Sequence, residues 1–143
     1  MQGVWNFPKN YGHDFNAVLH YEVKGFQQNG DTMTLRLEMK DDVLFVFLPR
    51  EKEYEASDLN KGIGKYINDT DFIIVNLTET DYMGTPVLAA LLAAHIKVSK
   101  RGGDVILTGV PDKLMNLLKI TRLDTVFKII DTDTIALEYI RQK

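Results

Sequence analysis

The chain has 143 residues, of which 45% are hydrophobic and 26% are charged, and its formal net charge is -3. This length and apolar content suit one compact domain with its own core, and the acidic balance gives no basic surface for direct nucleic-acid binding. The absence of cysteine excludes disulfides and thiolate chemistry, and we expect a cytoplasmic protein because no apolar run approaches the roughly 18 residues of a membrane span and no secretion signal opens the chain.

The first part of the chain predicts an arm followed by a strand. Residues 1–16 carry aromatic side chains without a period, so they are predicted to form an irregular arm. Residues 17–24 alternate apolar and polar side chains, as a half-buried strand does. We therefore divide the chain into an N-terminal arm with an added strand, residues 1–31, and a main domain, residues 32–143.

Two tight turns predict that the sheet begins as an antiparallel meander. Asn29-Gly30 is a strong hairpin signal, and it joins the first strand to an alternating strand over 32–39. A second tight turn is predicted at 40–42, and another strand follows over 43–48.

The spacing of apolar residues changes to a helical period between 51 and 68. Ser57 or Asp58 is predicted to cap this helix. Its apolar face is predicted to consist of Leu59, Ile63, Tyr66 and Ile67.

The next forty residues predict a buried strand, a sharp turn, a helix and a second buried strand. The strand over 72–75 is an apolar run, typical of a parallel strand covered on both faces. Thr85 followed by Pro86 predicts a helix start, with the threonine as a candidate cap. This helix is predicted to end before Gly102-Gly103 and to pack on the sheet through Leu88, Leu91, Leu92 and Ile96. The junction at Thr85 is the best site candidate in the chain.

The remaining elements complete an α/β pattern. A short helix is predicted over 112–119, a last strand over 126–130 and a terminal helix over 133–141, with Ile135, Leu137 and Ile140 as its apolar positions. Strands that alternate with helices after an antiparallel start imply a mixed β-sheet with helices packed against it.

No local pattern supplies catalytic, metal or cofactor chemistry. His13, His20 and His95 are scattered without ligand spacing. No Ser–His–acid arrangement and no pair of carboxylates can be assembled, and the glycines within 61–65 fit no nucleotide-binding pattern. We predict no catalytic residue, no metal and no cofactor, although a small-ligand binder or enzyme that uses the crevice at the strand ends stays an alternative.

Several of these segments resemble the STAS family, the fold of bacterial anti-sigma factor antagonists. The resemblance begins at about Thr32 and rests on residues 72–77, 82–85, 100–103, 105–107, 117–123 and 126–130. It implies a STAS-like mixed β-sheet with antiparallel N-terminal strands and helices packed against it.

The resemblance also gives Thr85 a role. In antagonists of this family the turn usually reads Asp-Ser-Ser-Gly, and a partner kinase, itself the anti-sigma factor, phosphorylates the first serine or threonine. The same positions here are Gly84, Thr85, Pro86 and Val87. Gly84 lacks the expected carboxylate, and Pro86 removes one backbone donor that would help to hold an anion. Thr85 is therefore either a phosphorylation site or a plain helix cap.

The leading hypothesis is a non-enzymatic regulatory module that resembles an anti-sigma factor antagonist. Its partner would be an anti-sigma factor or related serine/threonine kinase, with a serine/threonine phosphatase and a homodimer as further expected partners. Phosphorylation of Thr85 would add charge at the docking surface and release the partner. The predicted contact residues are Asp81, Tyr82, Met83, Gly84, Thr85, Pro86 and Val87. The alternative is a non-phosphorylated STAS scaffold or structural subunit of a larger complex.

Overall fold

The structure is a computed structural model that describes residues 2–6, 19–26, 32–49 and 54–143, with side chains from Leu35 onward. The strands are β1 (Gln2–Asn6), β2 (Leu19–Phe26), β3 (Thr32–Lys40), β4 (Val43–Phe47), β5 (Phe72–Asn76), β6 (Asp104–Thr108) and β7 (Lys128–Ile130). The helices are α1 (Ala56–Tyr66), α2 (Thr85–Ser99), α3 (Asp112–Ile120) and α4 (Asp133–Arg141).

All seven strands form one mixed sheet, in which their spatial order follows the chain. Strands β1 to β4 pair antiparallel, and β4 to β7 pair parallel. Each parallel neighbour is reached through a helix, because two parallel strands cannot be joined by a tight turn. The predicted α/β architecture with antiparallel N-terminal strands is confirmed.

The turn between β3 and β4 matches its predicted position. Asp41 and Asp42 have φ angles of 52° and 65°. Two consecutive residues of positive φ make the kind of two-residue turn whose twist suits a hairpin, and aspartate tolerates this conformation better than most residues. The predicted Asn29-Gly30 turn lies outside the described residues.

One face of the sheet packs against α1, α2 and α3. Val46, Val75 and Leu107 lie in register on three adjacent parallel strands, and all are fully buried. Leu59 from α1 and Leu91 from α2 belong to the same buried cluster. This cluster is the main core, and it holds α2 against the centre of the sheet.

The opposite face packs against α4. Phe45, Ile74 and Ile106 alternate with the main-core residues along their strands and lie in register with one another. They form a smaller cluster with Ala136, which is fully buried. Alternation along β4, β5 and β6 thus fills both faces, as expected for parallel strands covered on both sides.

The structure corrects three predictions about element ends. Residues 2–6 form strand β1 where an irregular arm was predicted. Helix α1 has its N-cap at Glu55 and not at Ser57 or Asp58. Asp58 is the third helical residue, and its carboxylate accepts a hydrogen bond of 3.1 Å from the Glu55 N–H. The last strand begins at Lys128, two residues later than predicted.

The exposed apolar residues correct the predicted faces of two helices. Ile96 of α2 is 54% exposed and Ile135 of α4 is 47% exposed. Helix α2 carries apolar residues on most of its circumference, so spacing alone did not identify its inward face. The buried residues of α2 are Val87, Ala90, Leu91, Ala94 and Val98.

The carboxyl end of α2 is fixed against the start of β5. Gly102 adopts a φ of 82°, and the Gly103 N–H bonds to the Val98 carbonyl at 2.8 Å, which is a common way to end a helix. Arg101 Nη2 donates hydrogen bonds to the carbonyls of Ile67 and Thr70. These contacts fix the position of α2, which carries the candidate site at its other end.

Candidate functional site

The candidate site is the segment that joins β5 to α2, at the carboxyl edge of the parallel strands. The Leu77 N–H bonds to the Thr108 carbonyl at 2.8 Å, which holds the start of the segment to the end of β6. The Thr80 N–H bonds to the Leu77 carbonyl at 3.0 Å and closes a turn. The Thr80 hydroxyl donates a 3.0 Å hydrogen bond to the Leu48 carbonyl just after β4. The segment is therefore tied to both neighbouring strands.

Burial divides the seven predicted contact residues into two groups. Met83 and Val87 are 1% and 2% exposed, and Gly84 is also buried, so these three residues anchor the segment to the core. The exposed residues are Asp81, Tyr82, Thr85 and Pro86. Contact with a partner stays a prediction for the whole segment. Of its seven residues, the four exposed ones are those whose side chains a partner could contact.

The structure corrects the interpretation of Thr85 as a helix cap. The N-cap of α2 is Gly84, which has an extended conformation and no side chain to cap with, and its carbonyl accepts the Leu88 N–H at 3.1 Å. Thr85 is the first helical residue, and Pro86 is the second. The exposed Thr85 hydroxyl is therefore not required to cap the helix.

The electrostatic setting of Thr85 is that of a helix N-terminus. The aligned peptide dipoles of the 15-residue helix α2 place partial positive charge at its first turn, and that turn contains no acidic residue. Pro86 contributes no N–H there. An anionic group at Thr85 would thus be favoured by the dipole, with fewer backbone donors than at an ordinary helix start.

Sequence reasoning did not identify a groove beside the exposed group. Asp81 and Tyr82 line this groove together with Lys113, Leu114 and Leu117 of α3. The lining thus combines two leucine side chains and one tyrosine ring with one carboxylate and one ammonium group. Lys113 is about thirty residues from Tyr82 along the chain, so only the folded arrangement brings them together.

The histidines and acidic residues of the described ranges bear on metal binding. Within these ranges no three histidine, aspartate or glutamate side chains are placed to hold a metal ion. His95 packs edge-on against Phe127, with ring centroids 5.9 Å apart. The side chains of His13 and His20 lie outside the described part.

Among the described residues, no helix combines the length and apolar character that crossing a bilayer requires.

A network on the other side of the same sheet edge fixes the start of α4. Asn76 Nδ2 donates a 3.0 Å hydrogen bond to Asp133, and the Thr108 hydroxyl donates to the other oxygen of that carboxylate. The Thr132 hydroxyl caps α4 by accepting the Ile135 N–H at 3.2 Å. The ends of β5 and β6 are thus held on both faces of the sheet.

The STAS domain family model matches residues 28–134. Solved structures with the same fold include a candidate anti-sigma factor antagonist from Thermotoga maritima, with 22% identity, a TM-score of 0.66, and coverage of 75% of this chain and 94% of that one. An anti-sigma factor antagonist from Mycobacterium paratuberculosis has 19% identity and a TM-score of 0.61, covering 85% and 94%. The Bacillus cell fate determinant SpoIIAA in its phosphorylated form has 15% identity and a TM-score of 0.59, covering 74% and 98%. At these identities, the similarity to solved structures shows the fold.

Proposed function

The chain belongs to the STAS domain family, and we propose that it is a non-enzymatic regulatory module of the anti-sigma factor antagonist kind. It binds an anti-sigma factor or related serine/threonine kinase and is switched by phosphorylation at Thr85. One observation carries this proposal: Thr85 is exposed at the first residue of α2, beside residues buried in the core. A kinase could reach the hydroxyl while the backbone around it stays fixed.

The expected effect of phosphorylation is electrostatic. A phosphate on Thr85 adds a charge of about -1.5 to -2 to a surface that includes exposed Tyr82 and Pro86. A partner surface that packs on these residues would then have to desolvate a dianion. Asp81 belongs to the same exposed group and adds like charge. Partner release follows from both effects.

The proposal includes further partners, among them one that would reverse the phosphorylation of Thr85. A serine/threonine phosphatase would return Thr85 to its free form. A second copy of the chain is a further proposed partner. Regulation through an anti-sigma factor acts on transcription in the bacterial cytoplasm, and we propose that the protein works there.

The switch can be tested by locating the phosphate. The purified chain is incubated with ATP and a candidate anti-sigma kinase whose activity is shown on a second substrate, and mass spectrometry then maps any phosphate. We expect modification of Thr85, its loss in Thr85→Ala, and weaker kinase binding by Thr85→Asp. Thr134→Asp is the matched control, because Thr134 is also an exposed threonine in the first turn of a helix. Unmodified Thr85 with an active, bound kinase contradicts the switch.

A non-phosphorylated scaffold is the second candidate function. The departures at Gly84 and Pro86 favour it, since neither supplies what the family motif supplies at these positions. In that case Thr85→Asp and wild type should bind the same partner with equal affinity. If Thr85→Asp and wild type bind with equal affinity and Thr85 is not phosphorylated, the scaffold function replaces the phosphorylation switch.

A further inference from the structure

The N-terminal strands extend the sheet, and β1 lies at one end of its strand order. All eight residues of β2 pair with β3, and all five residues of β1 pair with β2. Within the part of the chain that the structure describes, the outer edge of β1 pairs with no strand. The division of the chain at residue 31 stays a prediction, but β1 and β2 belong to the same sheet as the strands of the main domain.

The composition of β1 is unusual for an edge strand. Edge strands are commonly protected by lysine, by proline or by being very short. The β1 sequence QGVWN contains no charged residue and no proline. The opposite edge strand, β7, has only three residues, and one of them is the exposed Lys128. Of the two edge strands among the described residues, β1 is the one with a neutral row of backbone donors and acceptors.

We propose that β1 is a strand-pairing surface between two copies of this chain. The two β1 strands pair antiparallel about a two-fold axis at Val4, which places Gln2 opposite Asn6 and Gly3 opposite Trp5 of the second copy. All five residues then pair, and no like charges are opposed, so the edge is complementary to itself. A second copy explains the neutral edge without requiring any complementary charge.

This surface is separate from the site at Thr85. Strand β1 lies four strands from β5 in the sheet, which is about 19 Å at the usual spacing. The two surfaces therefore share no strand. The β1 dimer rests on the proposal that a second copy is a partner, and it can fail independently of the Thr85 switch, because the dimer is read from mass in solution and the switch from phosphate and kinase binding.

The first test uses a charge at the centre of the proposed axis. Wild type should be a dimer whose mass, measured by light scattering after size exclusion, falls on dilution. Val4→Lys places two ammonium groups opposite each other, and we expect the dimer dissociation constant to rise about tenfold or more at low salt and to recover partly at high salt. Asn60→Lys makes the same charge change at an exposed residue of α1 and should dimerise like wild type.

The second test uses proline, because adjacent residues of a strand direct their N–H groups to opposite sides. We compare Gly3→Pro with Val4→Pro. One of them should remove an N–H from the outer edge of β1, and the other should remove an N–H that bonds to β2. The edge-blocking variant should keep the melting temperature of the monomer and lose the dimer. A wild type that is monomeric at all concentrations overturns the proposal. So does a dimer that all three β1 variants leave unchanged.

Discussion

The Thr80 hydroxyl donates a 3.0 Å hydrogen bond to the Leu48 carbonyl, and both residues are buried. This bond joins the segment before α2 to the chain just after β4, 32 residues earlier. Buried polar groups of this kind are nearly always hydrogen-bonded in folded proteins. The bond therefore fixes the exposed residues Asp81 and Tyr82 relative to the sheet.

Replacing Thr80 with valine keeps the volume and removes the hydroxyl. We expect Thr80→Val to lower the free energy of unfolding by about 1–3 kcal/mol, because the Leu48 carbonyl loses this buried donor. Binding of the proposed kinase partner should weaken as well, although Thr80 is not at the surface. Thr78→Val is the control: Thr78 is exposed in the same segment, and its change should stay within about 0.5 kcal/mol. Equal urea midpoints for the two variants would contradict this account.

The position of Thr85 inside α2 predicts a small effect on stability. Since Gly84 occupies the N-cap, Thr85→Ala should change the free energy of unfolding by less than about 0.5 kcal/mol. Thr85→Asp adds a negative charge to the first turn and should stabilise by about 0.3–1 kcal/mol at low salt. A loss of about 1 kcal/mol in Thr85→Ala, measured by urea unfolding, would restore the cap interpretation. Thr132→Ala is the matched positive control, because the Thr132 hydroxyl does cap α4.

The packing of α2 predicts a large difference between two of its apolar residues. Leu91 is fully buried in the main core, whereas Ile96 is 54% exposed. We expect Leu91→Ala to lower the free energy of unfolding by about 2–5 kcal/mol through lost burial and a residual cavity. Ile96→Ala removes a branched side chain from the same helix and should stay within about 0.5 kcal/mol. Comparable losses in urea unfolding would mean that the wrong face of α2 has been placed on the sheet.

The sequence predicted where helices and strands lie better than it predicted which face of each helix is buried. Helix α4 begins and ends where it was predicted, at Asp133 and Arg141, although Ile135, one of its three predicted apolar positions, is exposed. In α2 the apolar residues surround the helix, so any of several faces could have been the buried one. Helix α2 begins one residue earlier than predicted, so Thr85 and Pro86 are its first and second residues and not its cap and first residue. The sequence left this open because proline is accepted at the second helical position as well as at the first. The groove at Lys113 forms where α3 packs beside Tyr82. A local sequence pattern does not predict such a long-range contact.

Gly103 and Gly64 provide opposite tests of what glycine does in this fold. A Cβ at Gly103 would lie 1.6 Å from the Asp71 carbonyl oxygen, which is backbone and cannot rotate away. The start of β6 would have to move from β5, and we expect Gly103→Ala to lower the free energy of unfolding by about 3 kcal/mol or more.

A Cβ at Gly64, in contrast, would meet nothing within 4 Å, and this residue lies inside α1. Gly64→Ala should therefore raise the free energy of unfolding by about 0.5–1 kcal/mol, the usual gain of alanine over glycine in a helix. Urea unfolding of the two variants in parallel measures both effects. If Gly103→Ala were as stable as wild type, β5 and β6 could not approach as closely as the structure places them. The attachment of α2, and with it the position of Thr85, would then need another explanation.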